Sequence, residues 1–284
     1  MTTTVLVTGA TDGIGLATAQ RLAASGHYVI LHGRNPDKLK AAHEQVSETA
    51  AEPVETVLAD LASLDQVAGL AAGVQQRFPD ISVLVNNAGH LSDHRQESAD
   101  GYELTFAVNY LAPFLLTNLL LDTLKNNAPA RVVNVASSAM GGGFVNFDDL
   151  QMHDNFEGWQ AYANSKLANV LFSNLLAEKL QGSGVVSNSC CPGLIDTNFF
   201  HTNTVFAGGA YERMQPGMRP PEQGADIPVY MAESPVTAEA NGRFYMRRRD
   251  LGLGDEIRSV PLNWDHCVAA QLWDVSTGLV ARWL

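Results

Sequence analysis

The chain has 284 residues, of which 46% are hydrophobic and 17% charged, a composition that fits a folded globular protein and excludes a disordered one. Asp+Glu 30 against Lys+Arg 18 leaves a formal net charge of −12, which speaks against nucleic acid or an anionic membrane as partner, because phosphate binding leans on surplus cations. The three cysteines, Cys190, Cys191 and Cys267, make no disulfide framework, and adjacent Cys190-Cys191 lacks the spacing of a metal pair.

No metal is therefore expected, and a reducing, cytoplasmic location is. Met1-Thr2-Thr3-Thr4 runs straight into an apolar strand, with no leader pattern ahead of it. In chain order, strands are expected at Thr4–Thr8, Tyr28–His32, Glu55–Ala59, Val83–Asn86, Arg131–Ala136 and Val185–Cys190, with a seventh near Gly242–Tyr245. Their cores are continuously apolar, as strands are when helices cover both faces of a sheet. Helices are expected at Ile14–Ala24, Pro36–Glu48, Leu64–Phe78, Gly101–Lys125 and Ala161–Gln181. The alternation predicts an α/β fold: a doubly wound, Rossmann-type, mostly parallel seven-stranded sheet with helices on both faces. The greasiest stretch, Leu111 to Leu121, is interrupted by Thr117 and Asn118 and is too short to span a bilayer.

No Pro/Gly/Ser-rich linker splits the chain, so residues 1–284 form a single domain. Two long connections, near 138–160 and 194–220, follow the fifth and sixth strands, where parallel sheets place function. Residues 263–284 carry apolar side chains at helical spacing (Val268, Leu272, Val275, Leu279), a C-terminal helical extension that packs back on the domain. Arg247-Arg248-Arg249 reads as a solvated edge. The helices Gly101–Lys125 and Ala161–Gln181 have enough apolar surface for a homo-oligomer face, but core packing explains it equally.

The first strand enters Thr8-Gly9-Ala10-Thr11-Asp12-Gly13-Ile14-Gly15, and a helix follows at once. Glycines permit a tight turn and close approach to a pyrophosphate, which the helix N-terminus then holds. The spacing is Gly-x-x-x-Gly-x-Gly. Further motifs follow in order: Asp60; Asn86-Asn87-Ala88-Gly89; Asn109; Ser137; Tyr162-x-x-x-Lys166; Pro192-Gly193 with Thr197. Together they resemble the short-chain dehydrogenase/reductase family over nearly the whole chain. Flanking stretches, among them Val108-Asn109-Tyr110-Leu111 and Leu272-Trp273-Asp274-Val275-Ser276, resemble its retinol-dehydrogenase-like branch.

The second strand ends His32-Gly33-Arg34-Asn35, without the carboxylate that selects NAD. Arg34 offers a permanently charged fork suited to a 2′-phosphate, so NADP(H) is the expected cofactor, with Asp12 as a repulsive counter-argument. The resemblance implies that Asp60 and Leu61 contact adenine and that Asn87, Ala88 and Gly89 line the adenosine side. It implies that Gly9, Thr11, Asp12, Gly13, Ile14 and Gly15 hold phosphates. It further implies that Pro192, Gly193, Ile195 and Thr197 clamp the nicotinamide and that Lys166 binds the ribose.

Tyr162 and Lys166, four apart, share a helix face. A tyrosine is a poor acid near neutrality, and a neighbouring ammonium favours its phenolate. Ser137 or its rival Ser138 would donate to the substrate oxygen; counting along the fifth strand, as the family does, selects Ser137. By resemblance Asn109 holds a water and the lysine in a proton relay. The expected activity is hydride exchange with a carbonyl or alcohol. Alternatives are epimerisation, dehydration or double-bond reduction on the same scaffold, or a non-catalytic NADPH-binding regulator. Met140, Phe144, Phe147, Phe199, Phe200, Val205, Phe206, Tyr211, Met214 and Met218 suggest a bulky lipophilic or aromatic substrate, half of them being equally suited to loop packing. Gly208-Gly209 suggests that the second loop is a mobile lid.

Overall fold

The structure is a computed structural model and describes residues 2–247 and 255–284. Strands β1 (Thr4–Val7), β2 (Tyr28–Gly33), β3 (Val54–Leu58), β4 (Ile81–Asn86), β5 (Ala130–Val135), β6 (Val185–Cys190), β7 (Phe244–Arg247) and β8 (Ile257–Val260) form one sheet in the order β3-β2-β1-β4-β5-β6-β7-β8. Every pairing from β3 through β7 is parallel, and β8 closes the edge antiparallel to β7. The expected seven strands are present and an eighth joins them. That strand was invisible because it lies at an edge: Arg258 and Ser259 are exposed, and the four residues hold no continuous apolar run.

Side chains alternate across each strand, and both faces are apolar. Val5, Val7, Val29, Leu31, Val83, Val85 and Val133 point to one side, where α1 (Gly13–Ala24), α2 (Pro36–Ser47) and the helix Asp226–Glu233 cover them. Leu6, Ile30, Leu84 and Val132 point to the other, against α3 (Leu64–Arg77), α5 (Ala112–Asn126) and α6 (Gly158–Lys179). Asp12, Asn35 and Ser63 cap α1, α2 and α3, each accepting a backbone N–H from the first turn.

The expected helix Gly101–Lys125 is three pieces. It begins as α4 (Leu104–Phe106), capped by Glu103, widens to a π-helical turn at Ala107–Leu111 and continues as α5. Pro113 accounts for the widening: it has no N–H to give to the carbonyl four residues earlier, that of Asn109. Leu104–Asn126 spans 23 residues, and its most apolar window reaches a mean hydropathy of 1.6, so by length and composition alone it could cross a bilayer, contrary to the expectation. However, 72% of its most apolar window is buried within this fold, as befits a core helix. Helix α6 starts at Gly158, three residues earlier than expected, because the Glu157 carboxylate takes the Trp159 and Gln160 N–H groups at 3.1 and 2.6 Å.

The C-terminal extension is the helix His266–Val280. It packs on the outer face of α5 and α6, where Trp273 stacks on Phe172 (5.7 Å) and meets the edge of Phe114 (5.0 Å). The Tyr102 hydroxyl donates to the Leu279 carbonyl at 2.9 Å, and Tyr110 shares a hydrogen bond with Ser276 at 2.8 Å. Apolar surface that the sequence left open to a second copy is thus covered here by the chain itself. The expectation for Arg247 needs correcting: it is buried, with its guanidinium on the carboxylates of Asp226 and Asp255. Arg248 and Arg249 lie outside the described residues. Leu272 on the C-terminal helix is 1% exposed, so Leu272→Ala is expected to cost about 2–5 kcal/mol in urea denaturation; a loss under about 1 kcal/mol would show that the helix does not dock there.

Candidate active site

At the carboxyl end of β1 the chain turns through Gly9 (φ 65°) and Gly13 (φ 51°), left-handed conformations that suit glycine. At Gly15 any Cβ would lie 2.2 Å from the Gly9 carbonyl oxygen and 2.4 Å from the Asn87 amide, so only glycine fits. Thr8 ties this turn to the loop after β4: its hydroxyl accepts the N–H groups of Asn87 (2.9 Å) and Ala88 (3.1 Å), and its carbonyl accepts the Asn87 side-chain amide (2.8 Å). The N-terminus of α1 faces the space that remains. Asp12 does not stand toward Arg34 as a free charge. It accepts the Gly13 N–H at 2.7 Å and the Asn198 amide at 2.5 Å, which ties the turn to the 194–220 loop.

A crevice of about 1100 Å³ runs from this turn along the carboxyl edge of the sheet to β5 and α6. Every residue expected to hold the cofactor lines it, as do Ser137, Tyr162 and Lys166; of the expected site residues only Asn109 stands behind its wall. Arg34 and Lys38 line its β2 end, both exposed. Lys38 went unnoticed in the sequence, although it follows Arg34 by four residues into α2. His32, His90, Trp159 and the segment Leu91–His94 also line the crevice and were missed. Trp159 was detectable, lying three residues before Tyr162 on the same helix. The crevice fits a dinucleotide by its donor set: glycines where a Cβ would collide, a helix N-terminus, and two cations at one end. Among the described residues no group of His, Cys, Asp and Glu could hold a metal ion.

Ser137 stands two residues past β5; its Oγ accepts the Ala139 N–H at 3.1 Å, and its side chain lies beside the Tyr162 phenol. Ser138 lines the crevice as well; it is exposed, with its N–H on Cys191 Sγ. Burial pushes the Tyr162 phenol well above its usual range, and the neighbouring Ser137 side chain opposes this. Lys166 Nζ lies 5.4 Å from the Tyr162 ring centre and donates to the Val135 carbonyl at 3.0 Å. Burial pushes Lys166 down to about 8.

Asn109, in the π-helical turn, is a brace. Its Oδ1 accepts the His90 N–H at 2.6 Å, and its Nδ2 donates to the His90 carbonyl and to Ser165 Oγ, both at 2.9 Å. It thereby holds the loop after β4 against the helix that carries Tyr162 and Lys166.

Beyond Tyr162 the crevice has an aromatic wall. Trp159 stacks on Tyr162 at 5.5 Å, and Phe199 approaches it at 5.2 Å. Phe199, Phe200 and Met214 line the crevice as expected, and Phe206 packs behind them, 4.6 Å from Phe200. Phe144 is exposed on the surface instead, and Phe147 packs against the core. Met140, Val205, Tyr211 and Met218 do not line the crevice; Met140 packs beside Phe244 and Met246, and the Tyr211 hydroxyl donates to Asp196. The segment 198–206 straps across the opening. Besides Asn198 on Asp12, it places the Asn203 amide on the Leu91 carbonyl at 2.9 Å and the Thr204 hydroxyl on the Asp93 carboxylate. Gly208 and Gly209, both at positive φ, follow the strap directly.

Residues 3–205 match the family model for short chain dehydrogenases. The chain belongs to the short-chain dehydrogenase/reductase family. Within it, the chain lies in the retinol-dehydrogenase-like branch. It is 35% identical to human retinol dehydrogenase 14, over 98% of this chain and 86% of that protein. A crystal structure of an uncharacterised protein from Mycobacterium Paratuberculosis is 32% identical, with a TM-score of 0.78 over 98% of this chain and 93% of that one. Another structure, of a putative NAD(P) dependent gluconate 5-dehydrogenase from Beutenbergia cavernae with bound NADP, is 27% identical with a TM-score of 0.70, over 85% and 93% of the two chains. This short-chain dehydrogenase/reductase is thus an oxidoreductase whose long crevice joins the family's glycine turn to its Tyr-Lys helix.

The environment of Lys166 can be measured directly. Its Nζ resonance followed by NMR should titrate near pH 8, below the reference ammonium value of about 10.4; titration at or above about 10 would place the ammonium in water.

Proposed function

We propose that this protein is an NADP(H)-dependent carbonyl reductase or alcohol dehydrogenase acting on a bulky lipophilic or aromatic substrate, with Tyr162 as general acid and base. One observation carries the proposal: Tyr162, with Ser137 beside it and Lys166 one turn away, lines the same crevice as the phosphate turn. When bound, the nicotinamide supplies or accepts the hydride. In reduction, Tyr162 gives its hydroxyl proton to the substrate oxygen, and Ser137 donates a hydrogen bond to that oxygen. Burial keeps the phenol protonated, which is the form that reduction requires. Below pH 8 Lys166 bears the positive charge that offsets the phenolate left behind. Proton donation of this kind contributes about 10²–10⁴-fold. In oxidation the same groups run in reverse.

Asp60 and Leu61 would hold the adenine, Asn87, Ala88 and Gly89 the adenosine side, and Lys166 the nicotinamide ribose. Ile195 and Thr197, following Pro192-Gly193, would hold the carboxamide. Asn109 keeps these walls in register. The choice of NADP(H) over NAD(H) rests on Arg34 and Lys38 at one end of the crevice, on the engagement of Asp12 elsewhere, and on the NADP held by the Beutenbergia relative. The aromatic wall of Trp159, Phe199 and Phe200 supports a lipophilic substrate, in keeping with the name of the retinol dehydrogenase relative. Three free cysteines support a reducing, cytoplasmic setting.

Two substitutions test this. Tyr162→Phe should lower kcat on ketone substrates by at least about 10²-fold and leave NADP⁺ affinity by calorimetry nearly unchanged; retained turnover would place the proton donor elsewhere. Arg34→Glu should raise KM for NADPH by about 10–100-fold, the worth of a charge-assisted hydrogen bond, with far less effect on KM for NADH. Equal effects on both cofactors would remove the 2′-phosphate assignment.

A further inference from the structure

His32, the penultimate residue of β2, is 2% exposed and lines the crevice beside the glycine turn. Its Nδ1 accepts the Gly9 N–H at 3.2 Å, and its Nε2 lies 3.1 Å from the Ala59 carbonyl. Its own carbonyl accepts the Ala10 N–H at 2.9 Å, and the next residue, Gly33, accepts the Ala59 N–H at 3.1 Å. These partners fix the tautomer. A backbone N–H can only donate, so Nδ1 carries no proton; a carbonyl can only accept, so the ring proton sits on Nε2. One neutral imidazole therefore bridges the ends of β1, β2 and β3.

We propose that His32 is a positioning residue for cofactor binding: its Nδ1 anchors the Gly9 N–H and so sets where the phosphate turn meets the dinucleotide. The turn has little room to settle elsewhere. Gly9 sits at φ 65° and is packed so closely on Ala88 that a Cβ would come within 2.9 Å of the Ala88 Cα. The same Ala88 is held by Thr8, and Gly15 lies against the Gly9 carbonyl. A displacement at Gly9 is thus passed to both walls of the phosphate site.

The ring acts as a hydrogen-bonding bridge and carries no charge at working pH. Burial pushes its pKa down to about 4, against the opposing pulls of the Ala59 hydrogen bond and of Asp60. Of the other charged side chains, Arg34, Lys38 and Asp12 line the same crevice. Protonation would set an Nδ1–H against the Gly9 N–H, which the neutral state avoids.

The proposal rests on the crevice being a dinucleotide site, and one experiment separates the two. NADP⁺ is titrated calorimetrically at pH 7.5 into the full-length wild type and the variants His32→Asn, His32→Gln and His32→Ala. The amide oxygen of Asn falls near the place of Nδ1, whereas that of Gln reaches toward Nε2. Expected are an Asn variant within about threefold of wild type, and Gln and Ala variants weaker by about tenfold, the worth of one hydrogen bond left unmade. Equal weakening in Asn and Gln, or an Ala variant that binds like wild type, would overturn the role of Nδ1. If Ala fails to fold, the contrast of Asn with Gln still decides. A wild type that binds neither NADP⁺ nor NAD⁺ would overturn the cofactor assignment itself, and the inference with it.

Discussion

Parallel pairing is the constraint on which the site depends. With β1 to β7 all running the same way, their carboxyl ends come out along a single edge. Thr8, His32, Asn87, Ser137 and Pro192 are far apart in the chain, yet each follows or ends a strand at that edge. The crossover helices must then start there too, so their N-termini and first turns face the same space. A crevice with a phosphate turn at one end and a phenol at the other is what this geometry leaves along that edge.

The edge is crowded with polar groups, and they are kept in order by partners that leave little choice. The Asn109 carboxamide is spent on His90 and Ser165. The Lys166 ammonium sits on a backbone carbonyl, and the Tyr162 phenol lies beside Ser137. Burial moves the lysine downward and the tyrosine upward.

Much of this was legible in the sequence. Buried parallel strands read as unbroken apolar runs, and the glycine turn, Ser137 and the Tyr162-Lys166 pair have fixed spacings. What escaped notice had physical reasons. The strand Ile257–Val260 is half exposed and carries no apolar run. The π-helical turn depends on Pro113 acting on a carbonyl four residues away, a relation that hydrophobic periodicity does not register. Arg247 looked like surface because its two carboxylate partners, Asp226 and Asp255, are recognisable only after folding. Likewise the aromatic residues near Tyr162 divided into wall and filling, since composition alone cannot say which ring faces a cavity.

The strap over residues 198–206 is moored to both banks of the crevice, to Asp12 on one side and to Leu91 and Asp93 on the other. Any molecule long enough to reach from the glycine turn to Tyr162 must pass beneath these moorings or cast them off. Its arrival and departure are then coupled to a few polar contacts of a surface loop.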